Sequence, residues 1–206
     1  SYEKDYLSEF EEKDQALEKL QSGPDKAIRS MDDSAVTRYD QYKTGSYVNT
    51  AMYIGTNSTS YYFSVASGSI GEFFDEMYLN TPWEQHYENL DGRTILDRLA
   101  SVKYFVVKSN RYQYMPYGYY WLEGSAKKNG KIYEAFGSEE ALPLGYTYDS
   151  FIPREEYEKM TVTEKQQALL QGIVLEDSSL PEITPEFNDQ EIPFEIRKGK
   201  GCTVKD

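Results

Sequence analysis

The chain has 206 residues, a net charge of −13 and a hydrophobic content of 39%, which is enough for one domain with a substantial core. The acidic balance argues against a nucleic-acid partner, whose phosphates are bound through Lys and Arg, and against electrostatic attraction to an anionic membrane surface. The single cysteine, Cys202, excludes an intramolecular disulfide, and no apolar run approaches the roughly 18 residues of a membrane-spanning helix.

The first part of the chain predicts two helices followed by strands. Apolar residues at helical spacing indicate an amphipathic helix over Tyr2–Leu20, and Pro24 at a first helical position starts a shorter second helix. Alternating side chains predict a strand over Val36–Tyr42. We expect two further strands over Tyr47–Ile54 and Tyr61–Val65.

The stretch Leu90–Lys108 is the strongest local signal, because a short helix leads directly into a buried strand. Thr94 is the expected cap of that helix, with Asp97 in the third helical position. The β-branched and aromatic run Val102–Val107 is typical of a central strand. Upstream, Ser69–Glu72 has the capping-box pattern and predicts another helix.

The second half of the chain predicts a hairpin, a strand, a helix and a short strand. Asn129-Gly130 is typical of a two-residue hairpin turn, and Ile132–Phe136 forms one arm of the hairpin. We expect a strand over Tyr146–Ile152, a helix capped by Thr161, and a short buried strand over Ile173–Leu175.

These elements show no regular βαβ repeat, so the sequence predicts an α+β fold, a mixed sheet with flanking helices. We expect one domain over residues 1–177. Residues 178–190 are rich in proline and acidic residues and predict a linker. Ile192–Ile196 then predicts the truncated first strand of a following β-module, so that residues 178–206 lie outside the main domain.

Stretches of the chain, in matching order, resemble bacterial membrane proteins of the YfhO type over roughly Tyr2–Asp177. They are Arg38-Tyr39-Asp40 leading to Asn49, Leu96–Lys108, Glu140–Tyr146, and Lys165–Leu170 with Val174–Glu176. The resemblance implies a polytopic membrane protein similar to transmembrane glycosyltransferases that use lipid-phosphate-linked sugars to decorate lipoteichoic acid in Gram-positive envelopes. It implies that this chain is an outward-facing soluble piece at the extracytoplasmic side of the cell membrane, and that the catalytic acidic residue lies outside it.

Candidate catalytic and metal sites are weak. His86 is the only histidine, so a Ser–His–acid triad would have to use it, and a surface or packing histidine is the simpler interpretation. One histidine and one distant cysteine are too few for zinc, and Asp32-Asp33 is interpreted as a helix end. With 35 acidic residues, a carboxylate pair alone does not indicate glycoside hydrolysis. We expect no catalytic residue, metal or cofactor in this chain.

Aromatic residues are candidates for sugar binding, because the C–H faces of sugars stack on aromatic rings. These candidates are Trp83, Tyr114, Tyr117, Tyr119 and Trp121. Two other interpretations stay open: packing in the core, and contact of the rings with the membrane interface or the transmembrane part of the protein.

Further substrate-binding candidates, Arg38, Asp40 and Asn49, are carried over from the resemblance. Arg38 has the planar fork that binds a phosphate bidentately. A structural ion pair between Arg38 and Asp40 is the alternative.

The resemblance and these candidates predict a non-catalytic extracytoplasmic domain that helps to position a lipid-linked sugar or a cell-envelope polymer. Its expected partners are the transmembrane part of the same protein and that sugar or polymer. The alternative is a cell-wall carbohydrate-binding or protein-interaction scaffold module. An independent soluble hydrolase is a third hypothesis, and the absence of a compact nucleophile or metal motif argues against it.

Overall fold

The computed structural model describes residues 13–31, 36–45, 48–79, 81 and 85–188. The strands are β1 (Arg38–Gln41), β2 (Tyr61–Tyr62), β3 (His86–Tyr87), β4 (Val102–Lys108), β5 (Tyr120–Lys128), β6 (Lys131–Gly137), β7 (Phe151–Pro153) and β8 (Ile173–Leu175). The α-helices are α1 (Lys13–Leu20), α2 (Gly23–Arg29), α3 (Thr50–Ile54), α4 (Gly68–Glu76), α5 (Thr94–Leu99), α6 (Arg154–Glu158) and α7 (Val162–Ala168). This mixture confirms the predicted α+β class.

A four-stranded mixed sheet with the order β1-β4-β6-β5 organises the fold. β1 runs parallel to β4, with Asp40 opposite Phe105, whereas β6 is antiparallel to both β4 and β5. β5 and β6 form the predicted hairpin. Its turn residues, Asn129 and Gly130, have φ values of +50° and +74°, the left-handed backbone that an Asn-Gly pair favours.

β4 is the central strand, as predicted, and it contributes to a hydrophobic cluster on each face of the sheet. On one face Phe105 packs with Leu96 from α5 and Phe74 from α4. On the other face Val106 packs with Ile28 from α2. Because both faces are covered, β4 is a nearly continuous apolar run rather than an alternating one.

α2 approaches the sheet closely. Ser22 accepts a hydrogen bond from the Asp25 N–H, and the Asp25 carboxylate accepts one from the Ser22 N–H, which forms a reciprocal capping box. Pro24 lies in the first turn, as predicted. A Cβ atom at Gly23 would lie 2.2 Å from the Tyr133 ring, so the helix needs glycine at this point of contact.

The outer edge of β1 is covered by a segment of the same chain, residues 57–59. The Tyr39 N–H donates to the Asn57 carbonyl at 2.9 Å, and the Thr59 N–H donates to the Tyr39 carbonyl at 3.2 Å. Ser58 forms an isolated parallel bridge with Tyr39. The segment therefore satisfies backbone groups that an edge strand otherwise exposes.

A small parallel pair, β7 and β8, lies with α6 and α7 towards the C-terminal end of the described chain. The Thr161 side chain accepts a hydrogen bond from the Glu164 N–H, and the Glu164 carboxylate accepts one from the Thr161 N–H. This capping box confirms the predicted start of α7. The predicted short strand over Ile173–Leu175 is also confirmed.

Residues 178–188, the described part of the predicted linker, contact the domain. The Ile183 N–H donates to the Phe151 carbonyl at 2.9 Å. The Gln171 side-chain amide donates to the Glu186 carbonyl at 2.8 Å. The domain boundary after residue 177 stays a prediction. The predicted strand over Ile192–Ile196 falls outside the described residues, as do Cys202, Asp32-Asp33 and the part of the predicted Tyr2–Leu20 helix before residue 13.

The predicted strand over Tyr47–Ile54 is wrong, because residues 50–54 form helix α3. Asn49 before it has φ +62° and Gly55 after it has φ +73°, so left-handed residues close both ends of little more than one helical turn. The predicted strands over Tyr61–Val65 and Tyr146–Ile152 are shorter than expected and reduce to β2 and to β7, which begins at Phe151.

Two predicted helix caps are also wrong. α4 begins at Gly68 after Ser67, and no side chain caps it, so Ser69 lies inside the helix. Thr94 is the first residue of α5, and its hydroxyl donates to the Tyr117 carbonyl at 2.9 Å instead of capping the helix. The cap of α4 thus lies two residues before the predicted one, and that of α5 one residue before it.

Candidate functional site

A cavity of about 690 Å³, the Arg38 cavity, is lined by two of the predicted binding residues, Arg38 and Asn49. It lies between α3, β2 and α4. Most of its wall is apolar. The apolar lining includes Ala51, Met52, Phe63, Ile70, Phe73 and Leu90.

Arg38 lies where the strand pairing is irregular. The register between β1 and β4 shifts between Arg38 and Tyr39, and such irregularities re-aim side chains. The guanidinium donates from Nη1 to the Ala100 carbonyl at 2.8 Å. Among the described residues it forms no ion pair, so the alternative of an Arg38–Asp40 pair is not seen there. A guanidinium has five N–H donors, which leaves several of them for a ligand.

Asn49 holds one wall of the Arg38 cavity in place. Its side-chain amide donates to the Tyr62 carbonyl at 2.8 Å, and its side-chain oxygen accepts from the Tyr62 N–H at 2.9 Å. These two bonds fasten the start of α3 to strand β2. Asn49 therefore positions the wall that carries Phe63, the residue after Tyr62.

The rim of the Arg38 cavity is apolar and open to solvent. Met52, Phe63 and Val65 all line the cavity and are exposed, and Val65 is exposed to 90%. Contiguous exposed apolar surface marks interaction sites more often than it marks ordinary surface. The cavity can therefore accept an apolar group beside a guanidinium.

A buried carboxylate, Asp40, lies beneath the cavity. It accepts hydrogen bonds from the Thr59 hydroxyl at 2.6 Å and from the N–H groups of Gln41 at 2.7 Å and Leu90 at 3.0 Å. Thr59 and Leu90 also line the cavity. Asp40 itself is fully buried, so it acts on the cavity by holding Thr59 and Leu90 in place.

Asp97 is a second fully buried carboxyl, and it lies beside Asp40. Burial, and then the neighbouring charge of Asp40, raise the pKa of Asp97 well above its usual range. Burial raises the pKa of Asp40 too, but the hydrogen bonds from Thr59, Leu90 and Gln41 oppose that rise. Of the two carboxyls, Asp97 therefore holds a proton more tightly, and Asp40 ionises more readily. No described N–H or hydroxyl donates to either carboxyl oxygen of Asp97.

The sequence predicts only a helix-capping role for Asp97 and does not predict this carboxyl pair. The one available signal is that Asp97 directly follows Leu96, and both residues lie on the side of α5 that faces the core. A pattern of one helix cannot show that β1 brings a second carboxyl to the same place.

The predicted aromatic candidates are divided between surface and core. Tyr117 is 93% exposed and Trp121 is 57% exposed. Tyr119 is only 7% exposed, and its hydroxyl donates to the Val102 carbonyl at 2.8 Å, so its ring offers no face to a sugar. Trp83 lies outside the described residues. Neither Tyr117 nor Trp121 lines the Arg38 cavity.

His86 lies in β3 opposite Tyr62, with its Nε2 atom 3.9 Å from the Glu88 carboxylate. This position favours the packing interpretation of His86. Within the ranges that the structure describes, no group of three or more His, Cys, Asp and Glu side chains is placed to hold a metal ion.

The chain has recognisable relatives. It is similar to a protein of Bacillus subtilis (strain 168) named "Uncharacterized protein YfhO", with 26% identity over 157 residues, which is 74% of this chain. The same match covers 17% of the length of that relative. No solved structure matches the chain.

A family profile described as "Bacterial membrane protein YfhO" matches residues 1–199 of the chain. No helix in the described ranges is both long enough and apolar enough to cross a membrane. The match extends over nearly the whole sequence and includes every stretch that resembles the family in the sequence analysis. The chain therefore belongs to the YfhO family of bacterial membrane proteins.

Proposed function

We propose that this chain is an extracytoplasmic, non-catalytic domain of a membrane glycosyltransferase-like protein. In this proposal it positions a lipid-linked sugar, or the envelope polymer that receives the sugar, during glycosylation of lipoteichoic acid. The observation that carries the proposal is the Arg38 cavity, in which a guanidinium lies among apolar walls with an exposed apolar rim.

The chemistry of a lipid-linked sugar matches the parts of this cavity. Such a molecule joins an apolar chain, a phosphate and a sugar. The exposed side chains Met52, Phe63 and Val65 suit the apolar chain, and the guanidinium of Arg38 suits the phosphate. Asn57 and Ser58, also in the lining, supply polar groups for sugar hydroxyls.

The reacting group belongs elsewhere in this proposal. The chain matches only 17% of the length of its Bacillus subtilis relative, which leaves most of that protein for membrane segments and a catalytic centre. The partners of the domain are then the transmembrane part of the same protein and the bound sugar or polymer.

Replacement of Arg38 by alanine in the intact membrane protein tests the proposal. We expect transfer of sugar to the envelope polymer to fall by about 10- to 100-fold, because a charge-assisted hydrogen bond to phosphate contributes roughly 1.5–3 kcal/mol. Arg38→Lys keeps the charge but loses the bidentate fork, so we expect an intermediate loss. The measurement is the sugar content of purified lipoteichoic acid.

The matched control is Lys127→Ala, which removes an exposed cation outside the Arg38 cavity. It should leave sugar transfer unchanged. Full sugar transfer by Arg38→Ala, with normal amounts of protein in the membrane, would contradict the proposed role of the cavity.

A second candidate function, binding of cell-wall carbohydrate, is favoured by the exposure of Tyr117 and Trp121. Exposed rings near the edge strand β5 form a surface on which a sugar can stack. Titration of the chain with teichoic-acid fragments should then quench tryptophan fluorescence in a saturable way. Trp121→Ala should abolish the response, whereas Tyr78→Ala, which removes another exposed ring, should preserve it. An unchanged titration of Trp121→Ala rules out this candidate.

A further inference from the structure

A second cleft, of about 560 Å³, is lined by the cations Lys43, Lys108, Arg111 and Lys131. We call it the basic cleft. The other described lining residues are Ser109, Asn110, Tyr114, Gly130 and Ile132, so no described carboxylate lines the cleft. Such a concentration of positive charge is unexpected in a chain with 35 acidic residues and a net charge of −13.

The cations of the basic cleft differ from several others in the described chain, which form ion pairs with carboxylates. Examples are Lys26 with Glu18, Arg98 with Glu140, Arg154 with Glu76 and Lys159 with Glu156. Within the described ranges, no carboxylate forms an ion pair with Lys43, Lys108, Arg111 or Lys131. Their charges are therefore available to an anion from outside.

Two of these cations are held in position by the fold. The Lys108 ammonium donates to the Lys43 carbonyl at 3.2 Å. The Lys43 ammonium lies 4.8 Å from the centre of the Tyr114 ring and 5.1 Å from that of Tyr42, which are cation–π distances. Lys43 lies in the turn after β1 and has φ +52°, a left-handed backbone conformation that non-glycine residues seldom adopt.

The other two cations come from neighbouring turns. Arg111 follows the end of β4, where its N–H donates to the Lys108 carbonyl at 2.8 Å. Lys131 opens β6 directly after the Asn129-Gly130 turn. The central strand and the hairpin thus bring like charges to one end of the sheet. Burial, together with the charges of Lys131 and Arg111, lowers the pKa of Lys108, and a bound anion would relieve this repulsion.

We propose that the basic cleft binds the phosphate groups of a polyphosphodiester chain, the anionic backbone of an envelope polymer. Lys and Arg are the side chains that hold phosphate, and several of them around one cleft suit more than one phosphate of a flexible chain. The acidic remainder of the domain repels a broad anionic surface, so a thin polymer is favoured over an anionic bilayer. This inference rests on the proposed function, because that function supplies the envelope polymer as the ligand.

The experiment measures binding of a soluble oligo(glycerol phosphate) to the 206-residue chain by isothermal titration calorimetry. The double variant Arg111→Gln with Lys131→Gln should bind at least about 10-fold more weakly, and binding by the parent should weaken as salt rises. Neither side chain forms a described hydrogen bond, so both substitutions should preserve the fold, and an unchanged circular dichroism spectrum checks this. Arg111→Gln alone should weaken binding less than the double variant does.

The control is the double variant Arg29→Gln with Lys165→Gln, which changes the net charge equally but lies outside the cleft. Equal weakening by this control would show a general charge effect and overturn the proposal. Equal affinity for polyglutamate would overturn the assignment to phosphate. Binding to phosphatidylglycerol vesicles without binding to the oligomer would overturn the assignment to a polymer.

Arg38→Ala separates this inference from the proposed function. The variant should keep its affinity for oligo(glycerol phosphate), because Arg38 does not line the basic cleft. Normal sugar transfer by Arg38→Ala with normal oligomer binding contradicts the role of the cavity alone. Loss of transfer by Arg38→Ala, combined with no oligomer binding by the parent chain, contradicts the role of the cleft alone.

Discussion

Replacing Asp40 by alanine is expected to lower the free energy of unfolding of the 206-residue chain by about 3–5 kcal/mol at pH 7. The carboxylate accepts hydrogen bonds from Thr59, Gln41 and Leu90, and its removal leaves those buried donors without an acceptor. Each unsatisfied buried group costs roughly 1–3 kcal/mol. Equilibrium urea unfolding followed by intrinsic fluorescence measures the loss.

The control for this prediction is Asp75→Ala, which removes an exposed carboxylate from α4. Its effect should stay within about 0.5 kcal/mol, because surface substitutions away from special features are nearly neutral. If Asp40→Ala unfolds at the same urea concentration as Asp75→Ala, the hydrogen bonds of Asp40 do not stabilise the fold as described.

Replacing Asp97 by asparagine should change how stability depends on pH. The folded state raises the pKa of Asp97, so the folded chain holds this proton more tightly than the unfolded chain, whose aspartates titrate near about pH 3.9. The stabilisation that this tighter proton binding gives to the fold is fully present below the unfolded pKa of Asp97, and it is lost as pH rises through the folded pKa. Asparagine has no carboxyl proton to lose, so the stability of Asp97→Asn should rise relative to that of the parent as pH rises.

The expected gain in the free energy of unfolding of Asp97→Asn over the parent is about 1.4 kcal/mol for each pH unit from roughly pH 5 up to the folded pKa of Asp97. Urea unfolding of both proteins at three pH values gives the difference. The lowered pKa values of Glu18 and Glu164 act in the opposite direction, but they are common to both proteins and cancel. A difference that stays constant with pH would show that Asp97 is ionised in the fold.

The central parts of the fold are predictable from the sequence because their signals are local. β4 follows from a run of β-branched and aromatic residues, and the hairpin follows from Asn129-Gly130, whose backbone preference fixes the turn. The start of α7 follows from the pairing of Thr161 with Glu164. Each signal lies within a few residues and needs no distant partner.

Helix α3 is not predictable in this way. Its residues, Thr50–Ile54, are apolar and β-branched enough to resemble a strand. What makes them helical is the left-handed Asn49, which the backbone of Tyr62 holds through two hydrogen bonds. That contact joins parts of the chain that are distant in sequence, so a local pattern cannot reveal it.

The candidate site shows the same division. The resemblance indicates Arg38 and Asn49, and the structure places both at one cavity. The cavity walls and the Asp40–Asp97 pair depend on packing between separate elements, which spacing along the chain does not encode. For the aromatic candidates, composition identifies Tyr117 and Tyr119 equally well, but only the fold shows that one ring is exposed and the other is buried.

The segment that covers β1 has a consequence for association between molecules. With residues 57–59 bonded along one side of the sheet, strand β1 has little backbone to offer to another chain. On the opposite side, β5 shifts register between Trp121 and Ser125 and ends in Lys127 and Lys128. A distorted, positively charged strand is a poor template for aggregation. Both margins of the sheet are thus protected against pairing with a strand of another molecule.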